Sequence, residues 1–211
     1  MTDDQDEDED IEWPRPGSSI HTVTNNRFAA DLTKLRYGAL GYELGYRRAA
    51  ELLYAHMVAT HASLDSLVFP LAYLWRHGIE LQIKRLVVTA ARLRPEELDT
   101  KAFNKRLHHH HLKPLWDLAR EQLMAIGEYD ESCPPVGVED LEHALDELDK
   151  LDPEATGFRF HENRQGGPTL SNPPATLDLA NFHRVLRDVH GFVEAANTQV
   201  AQRLETDASP E

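Results

Sequence analysis

The sequence predicts an all-α fold, a helical bundle with one irregular or hairpin insertion near residues 155–175. Three observations predict it. Long stretches between Gly38 and Val200 repeat apolar residues at steps of three and four, the spacing of one helical face. One of them carries two apolar stripes, which a helix needs when neighbours cover it from two sides. Strand-like alternation occurs only in GFRFHENRQGGPTLSNPP, where Gly and Pro soon interrupt it.

From Gly38 to His61, Tyr42, Tyr46, Ala49, Leu53 and Met57 define the inward face of a first helix. Pro70 suits the first turn of a second, which runs to Pro95. Its stripes are Ala72, Trp75, Ile79, Ile83, Leu86 and Ala90 on one side and Leu71, Leu74, Leu81 and Val88 on the other, so it is the expected central helix. A polar connection follows, and Pro114 then opens HLKPLWDLAREQLMAI, which ends at Gly127. YDESCPPVG reads as a loop. VEDLEHALDELDKL is a short acidic helix with Leu141, Leu145 and Leu148 inward, stopped by Pro153. The last helix carries Leu179, Phe182, Leu186, Val189, Val193, Ala196 and Val200, a near-heptad seam fit for a bundle or for a homodimer.

At 211 residues, with 41% hydrophobic and 27% charged residues, the chain suits one globular domain. Net charge is −14, and eight acids among the first twelve residues supply more than half of it. The expected organisation is an acidic disordered tail over 1–26, a single helical domain over 27–205 and a disordered tail over 206–211. Such an acidic run is a solvated solubiliser or a docking segment for a basic protein partner. Overall acidity speaks against broad nonspecific nucleic-acid binding and leaves room for a local basic face. No apolar run is long enough to span a bilayer, the acidic start lacks the pattern of a secretory signal, and the single Cys133 allows no internal disulfide. A cytoplasmic protein without membrane contact is the expectation.

Two groups of residues carry chemistry. Along the central helix Tyr73, Arg76, His77, Glu80 and Lys84 fall on one arc, with Arg76, Glu80 and Lys84 at four-residue spacing. Flanked by apolar stripes, these charges need partners if buried, and Arg159, His161 and Arg164 of FRFHENR are candidates to supply them. The second group is FNKRLHHHHLKPLW, with four consecutive histidines, His108 to His111. Adjacent residues rarely converge on one metal, and neither HExxH nor paired ExxH patterns occur, so no metal and no cofactor is expected. His111 is the expected helix-start residue and His108, His109 and His110 are expected to be solvated.

YLWRHGIELQIKRL, the start formed by His111, Leu112, Leu115 and Trp116, and GFRFHENRQGG together resemble a group of bacterial HEPN-like helical proteins (higher eukaryotes and prokaryotes nucleotide-binding). In that group an Arg-His-x-x-Glu-Leu-x-x-Lys helix, a His-x-Leu-x-x-Leu helix start and a Phe-Arg-Tyr-Pro-like segment recur. Phe160 and His161 stand here for the Tyr and Pro. The resemblance spans about residues 65–200 and implies a toxin or phage-defence component acting on or beside RNA. Ribonucleases of this superfamily place a His four to six residues after an Arg, the His as general acid or base and the Arg on the phosphate, without metal. Arg15 with His21, Arg106 with His111 and Arg184 with His190 fit that spacing. Chance alone gives about three such pairs in this composition, and Leu107 and Val185 occupy the position where the family favours a small polar residue. The rival expectations are a noncatalytic helical interaction module and, third, a metal-dependent hydrolase in a bundle.

Overall fold

A computed structural model describes residues 38–94 and 100–207. The acidic tail, the first residues of the expected domain, the Arg15–His21 pair and residues 208–211 lie outside the described residues. Six helices are described: α1 (Ala39–Thr60), α2 (Leu64–Ala91), α3 (Lys101–Leu107), α4 (Leu112–Ala125), α5 (Val138–Leu151) and α6 (Leu179–Asp207). The fold is all-α, as the sequence predicts.

Helix α2 is the central element, packed against α1, α4 and α6. Trp75, Ile79, Ile83, Leu86 and Ala90 are buried on it, and from Leu71 to Ala91 no residue is exposed. Removing that much apolar surface from water is the main stabilising term of the bundle. Helices α4 and α5 pack on each other and close one side with Leu115, Trp116, Leu118, Leu141, Leu145 and Leu148.

Several expectations are corrected. Pro70 lies inside α2, six residues past its first residue, so the helix begins a turn and a half earlier than the proline suggests and tolerates one missing N–H. The inward face of α1 holds in part: Met57 is buried and Tyr46, Ala49 and Leu53 are partly buried, but Tyr42 is 57% exposed and Glu43 and Ala50 are buried beside them. The polar connection before α4 contains α3, started by Thr100, whose side chain accepts from the Phe103 N–H at 3.1 Å. Residues 155–175, in contrast, are the irregular insertion the sequence allows, turns with an isolated bridge between Glu162 and Pro168.

The α6 seam packs within the chain. Leu186, Val189, Val193 and Val200 join the same core as α2, and Leu179, Phe182 and Ala196 of the seam pack against it while only partly buried. Polar groups share this interface. Gln82 Nε2 donates to the His190 carbonyl at 3.1 Å and to Glu194 at 3.0 Å, Arg85 bridges Glu43 at 2.7 Å and Glu194 at 2.8 Å, and Trp75 Nε1 donates to His183 Nδ1 at 3.2 Å. Burial raises the Glu43 carboxyl above its usual range against the opposing pull of Arg85.

Candidate functional site

Arg76, Glu80 and Lys84 stack on successive turns of α2, as their spacing predicts. Arg76 is only 2% exposed and its partners come from three regions. Its Nη2 donates to the His110 carbonyl at 3.0 Å and to Asp149 at 3.1 Å, while Asp152 lies 3.7 Å from Nε and Glu80 3.8 Å from Nη1. Asp149 also accepts from the backbone N–H groups of Leu112 and Lys113, at 2.9 and 2.8 Å, and so caps α4 from outside that helix. Asp152 accepts from the N–H groups of Thr156 and Gly157, at 2.9 and 2.8 Å, and holds the turn after α5. A Cβ at Gly157 would come within 2.5 Å of the Leu170 side chain and 3.1 Å of Asp152 Oδ1, so a larger residue there would require the Leu170 side chain to shift. One guanidinium thus ties α2 to the start of α4 and the end of α5.

Beside this hub lies a cleft of about 270 Å³ whose lining includes Tyr73, His77, Glu80, His110, Glu154 and Arg159. Tyr73 and His77 are one helical turn apart and their rings stack, 5.5 Å between centroids and 9° between planes. Tyr46 of α1 presents its edge to His77 at 4.5 Å. Arg159 sits over the Tyr73 ring at 5.5 Å, a cation–π contact. Glu80 Oε1 receives Lys84 Nζ at 2.7 Å and faces His110 Nδ1 at 2.9 Å. The His110 side chain is 68% exposed and anchored to a carboxylate that is almost fully buried. Partial burial lowers the pKa of His77, the opposing attraction of Glu80 notwithstanding, so this ring is neutral at pH 7. A larger groove of about 660 Å³ between α5 and the start of α6 is lined mainly by apolar residues and contains no histidine.

The predicted polar cluster therefore assembles in part. Arg76, His77, Glu80 and Arg159 meet at the cleft and Lys84 joins through Glu80, but His161 is 89% exposed and pairs with its neighbour Glu162 at 3.2 Å. Arg76 is neutralised by Asp149 and Asp152, two acids of α5 and its end, and not by the FRFHENR segment.

The Arg–His pairs are differently placed. Arg106 makes a bidentate bridge to Glu121, at 2.6 and 2.7 Å, which raises the arginine pKa and lowers that of the glutamate. His111 stands at the N-cap of α4 without a side-chain capping bond, and its ring lies 5.2 Å from that of His109. Arg184 is on the surface with Asp188 at 3.2 Å and Asn181 at 2.8 Å. His190, six residues later and so on another side of α6, is buried against Trp75 and Gln82, and burial lowers its pKa to about 4. Arg184 and His190 do not converge.

His110 is largely exposed, as expected, and also joins the cluster through its contact with Glu80. The signal was present: a His-x-Leu-x-x-Leu start counted with its intervening residue begins at His110, followed by Leu112 and Leu115. Among the described residues no three His, Cys, Asp or Glu side chains gather as a metal site would require. Compared with family models, curated proteins and solved structures, the chain matches none of them.

Proposed function

We propose that this chain is a HEPN-like helical protein of the cytoplasm that acts on or beside RNA, in a toxin or phage-defence setting, through the cleft beside α2. The observation that carries this reading is the Tyr73–His77 stack with Arg159 over the tyrosine face. Flat rings offer sequence-tolerant stacking for an unpaired base, and a guanidinium at the same place offers a contact for its phosphate. Among the described residues no carboxylate pairs with Arg159; its guanidinium donates to the Ala155 carbonyl at 3.4 Å. With a net charge of −14 on the chain, such contact is local and salt-sensitive.

Fluorescence anisotropy with a labelled single-stranded oligoribonucleotide tests the reading. Tyr73→Ala and Arg159→Ala should each weaken binding by about tenfold, as loss of one stacked base or one charge contact does. Equal binding by wild type and both variants, or none by wild type, rejects it. A noncatalytic interaction module is the second reading. It is favoured by the engagement of Arg106 with Glu121 and of Arg184 with Asp188 and Asn181, which leaves neither arginine free for a phosphate.

A further inference from the structure

We propose that the groove between α5 and α6 is a docking site for one amphipathic α-helix of a partner protein, apolar along one stripe and rich in Lys and Arg beside it. The site lies apart from the cleft beside α2 and does not depend on the RNA reading. Two hollows, of about 660 and 500 Å³, share Ala144, Glu147 and Val185 in their linings and so continue into each other. Phe192 lies at the Gly137 end and Phe182 at the Leu151 end, so α5 and α6 run antiparallel along the groove. Ala144, at its middle, is too short to fill the space between them. The fourteen residues of α5 give the groove a length of about 21 Å, or four helical turns. Leu151, Phe182, Val185 and Phe192 line it while only partly buried, which leaves apolar surface that a partner can remove from water. Two antiparallel helices offer between them the seat for a third, whose side chains at three- and four-residue steps enter the groove.

Charge selects the partner. Helix α5 carries six acids against one lysine. Asp140 and Glu147 stand exposed at the rim; Asp140 makes no ion pair among the described residues, and Glu147 meets the exposed His143 imidazole at 3.5 Å. The cations of the rim are already engaged, Lys150 with Asp146 at 2.5 Å and Arg184 with Asp188 at 3.2 Å. A helix with Lys or Arg flanking its apolar stripe answers both the floor and the free carboxylates, its long stems lying on the apolar surface while the charged ends reach the rim. A second copy does not, because two chains joined symmetrically through this face would set the acidic rim against itself.

The test is fluorescence anisotropy of the full chain with labelled peptides of about 18 residues, long enough to follow α5. One is a Leu/Lys sequence with its leucines on one helical face, the second has the same composition shuffled to destroy that face, and the third is a Leu/Glu counterpart. The amphipathic Leu/Lys peptide should bind about tenfold or more tightly than either control. Asp140→Lys combined with Glu147→Lys should weaken it by about tenfold, and Val185→Ser should weaken it by a similar factor from the floor of the groove. The rim pair alters exposed side chains alone and so keeps the fold, which leaves the proposal open to refutation even if Val185→Ser is unstable. Equal binding of the shuffled peptide reduces the effect to general attraction by an acidic chain and overturns the groove. Absence of binding, equal or stronger binding of the Leu/Glu peptide, or binding that the rim pair leaves unchanged overturns it as well. A wild type that is dimeric by light scattering and becomes monomeric with the rim pair would place a second copy in the groove and overturn the partner helix.

Discussion

Glu80 shows how much one side chain holds in place. It accepts from Lys84 and faces His110 and Arg76 while almost fully buried, so Glu80→Ala removes an anion from a desolvated cluster and leaves Lys84 without its carboxylate partner. The expected loss is about 3 kcal/mol or more. An unchanged urea midpoint would mean that the cluster is solvated in solution. His190 gives a second, pH-dependent expectation. Its folded pKa is about 4 against an ordinary value of 6.5, so between those values the unfolded chain binds more protons than the folded one. Stability supplied by the neutral ring is complete above about pH 6.5 and is lost progressively as pH falls toward 4, to the extent of about 3 kcal/mol. Burial lowers His183 in the same direction. Chemical denaturation of wild type and His190→Gln across this range should show a shallower decline for the variant; parallel curves would reject the assignment.

At the level of elements, the start of α4 separates two kinds of cap. His111 occupies the cap position, yet Asp149 of α5 makes the bonds to Leu112 and Lys113. Asp149→Ala should therefore cost about 2 kcal/mol or more, the lost cap together with one partner of Arg76, whereas His111→Ala should stay within about 0.5 kcal/mol. Thermal melts of the two variants decide it, and a larger loss for His111 would restore the local cap. The same helix shows where sequence is legible. Long helices declare themselves through three- and four-residue spacing, and Arg76, Glu80 and Lys84 through their four-residue ladder. Helix α3 is seven residues long, too short to display a period, and Pro70 was misleading because proline is commonest in a first turn, not because it is excluded later. In the sequence Asp149 is one of several acids of VEDLEHALDELDKL and Asp152 follows its end. Their role depends on Arg76, more than seventy positions earlier, and no local pattern carries that pairing. Glu43 is hidden for the same reason: its inward turn is set by Arg85.

Across the whole molecule, the spacing of α6 left open whether its seam closes a bundle or joins two chains, because both use the same knobs and holes. The burial of Val193 beside α2 makes the expected outcome specific. Val193→Asp should unfold the chain, with loss of helical circular dichroism, since an unpaired carboxylate would sit in the shared core. A folded monomer from a dimeric parent, seen by light scattering, would reject this placement. The hub around Arg76 also bears on the order in which a newly made chain becomes competent. Its contributors are spread from residue 76 through 110 and 149 to 152, with Arg159 completing the cleft beside it. A nascent chain emerging from the ribosome thus has α1 and α2 long before it has the groups that neutralise Arg76, and α2 stays uncovered on its α6 side until the last helix is made. The cleft is a late product of synthesis, and a message cut short before residue 159 yields a polypeptide with exposed apolar surface and no assembled site.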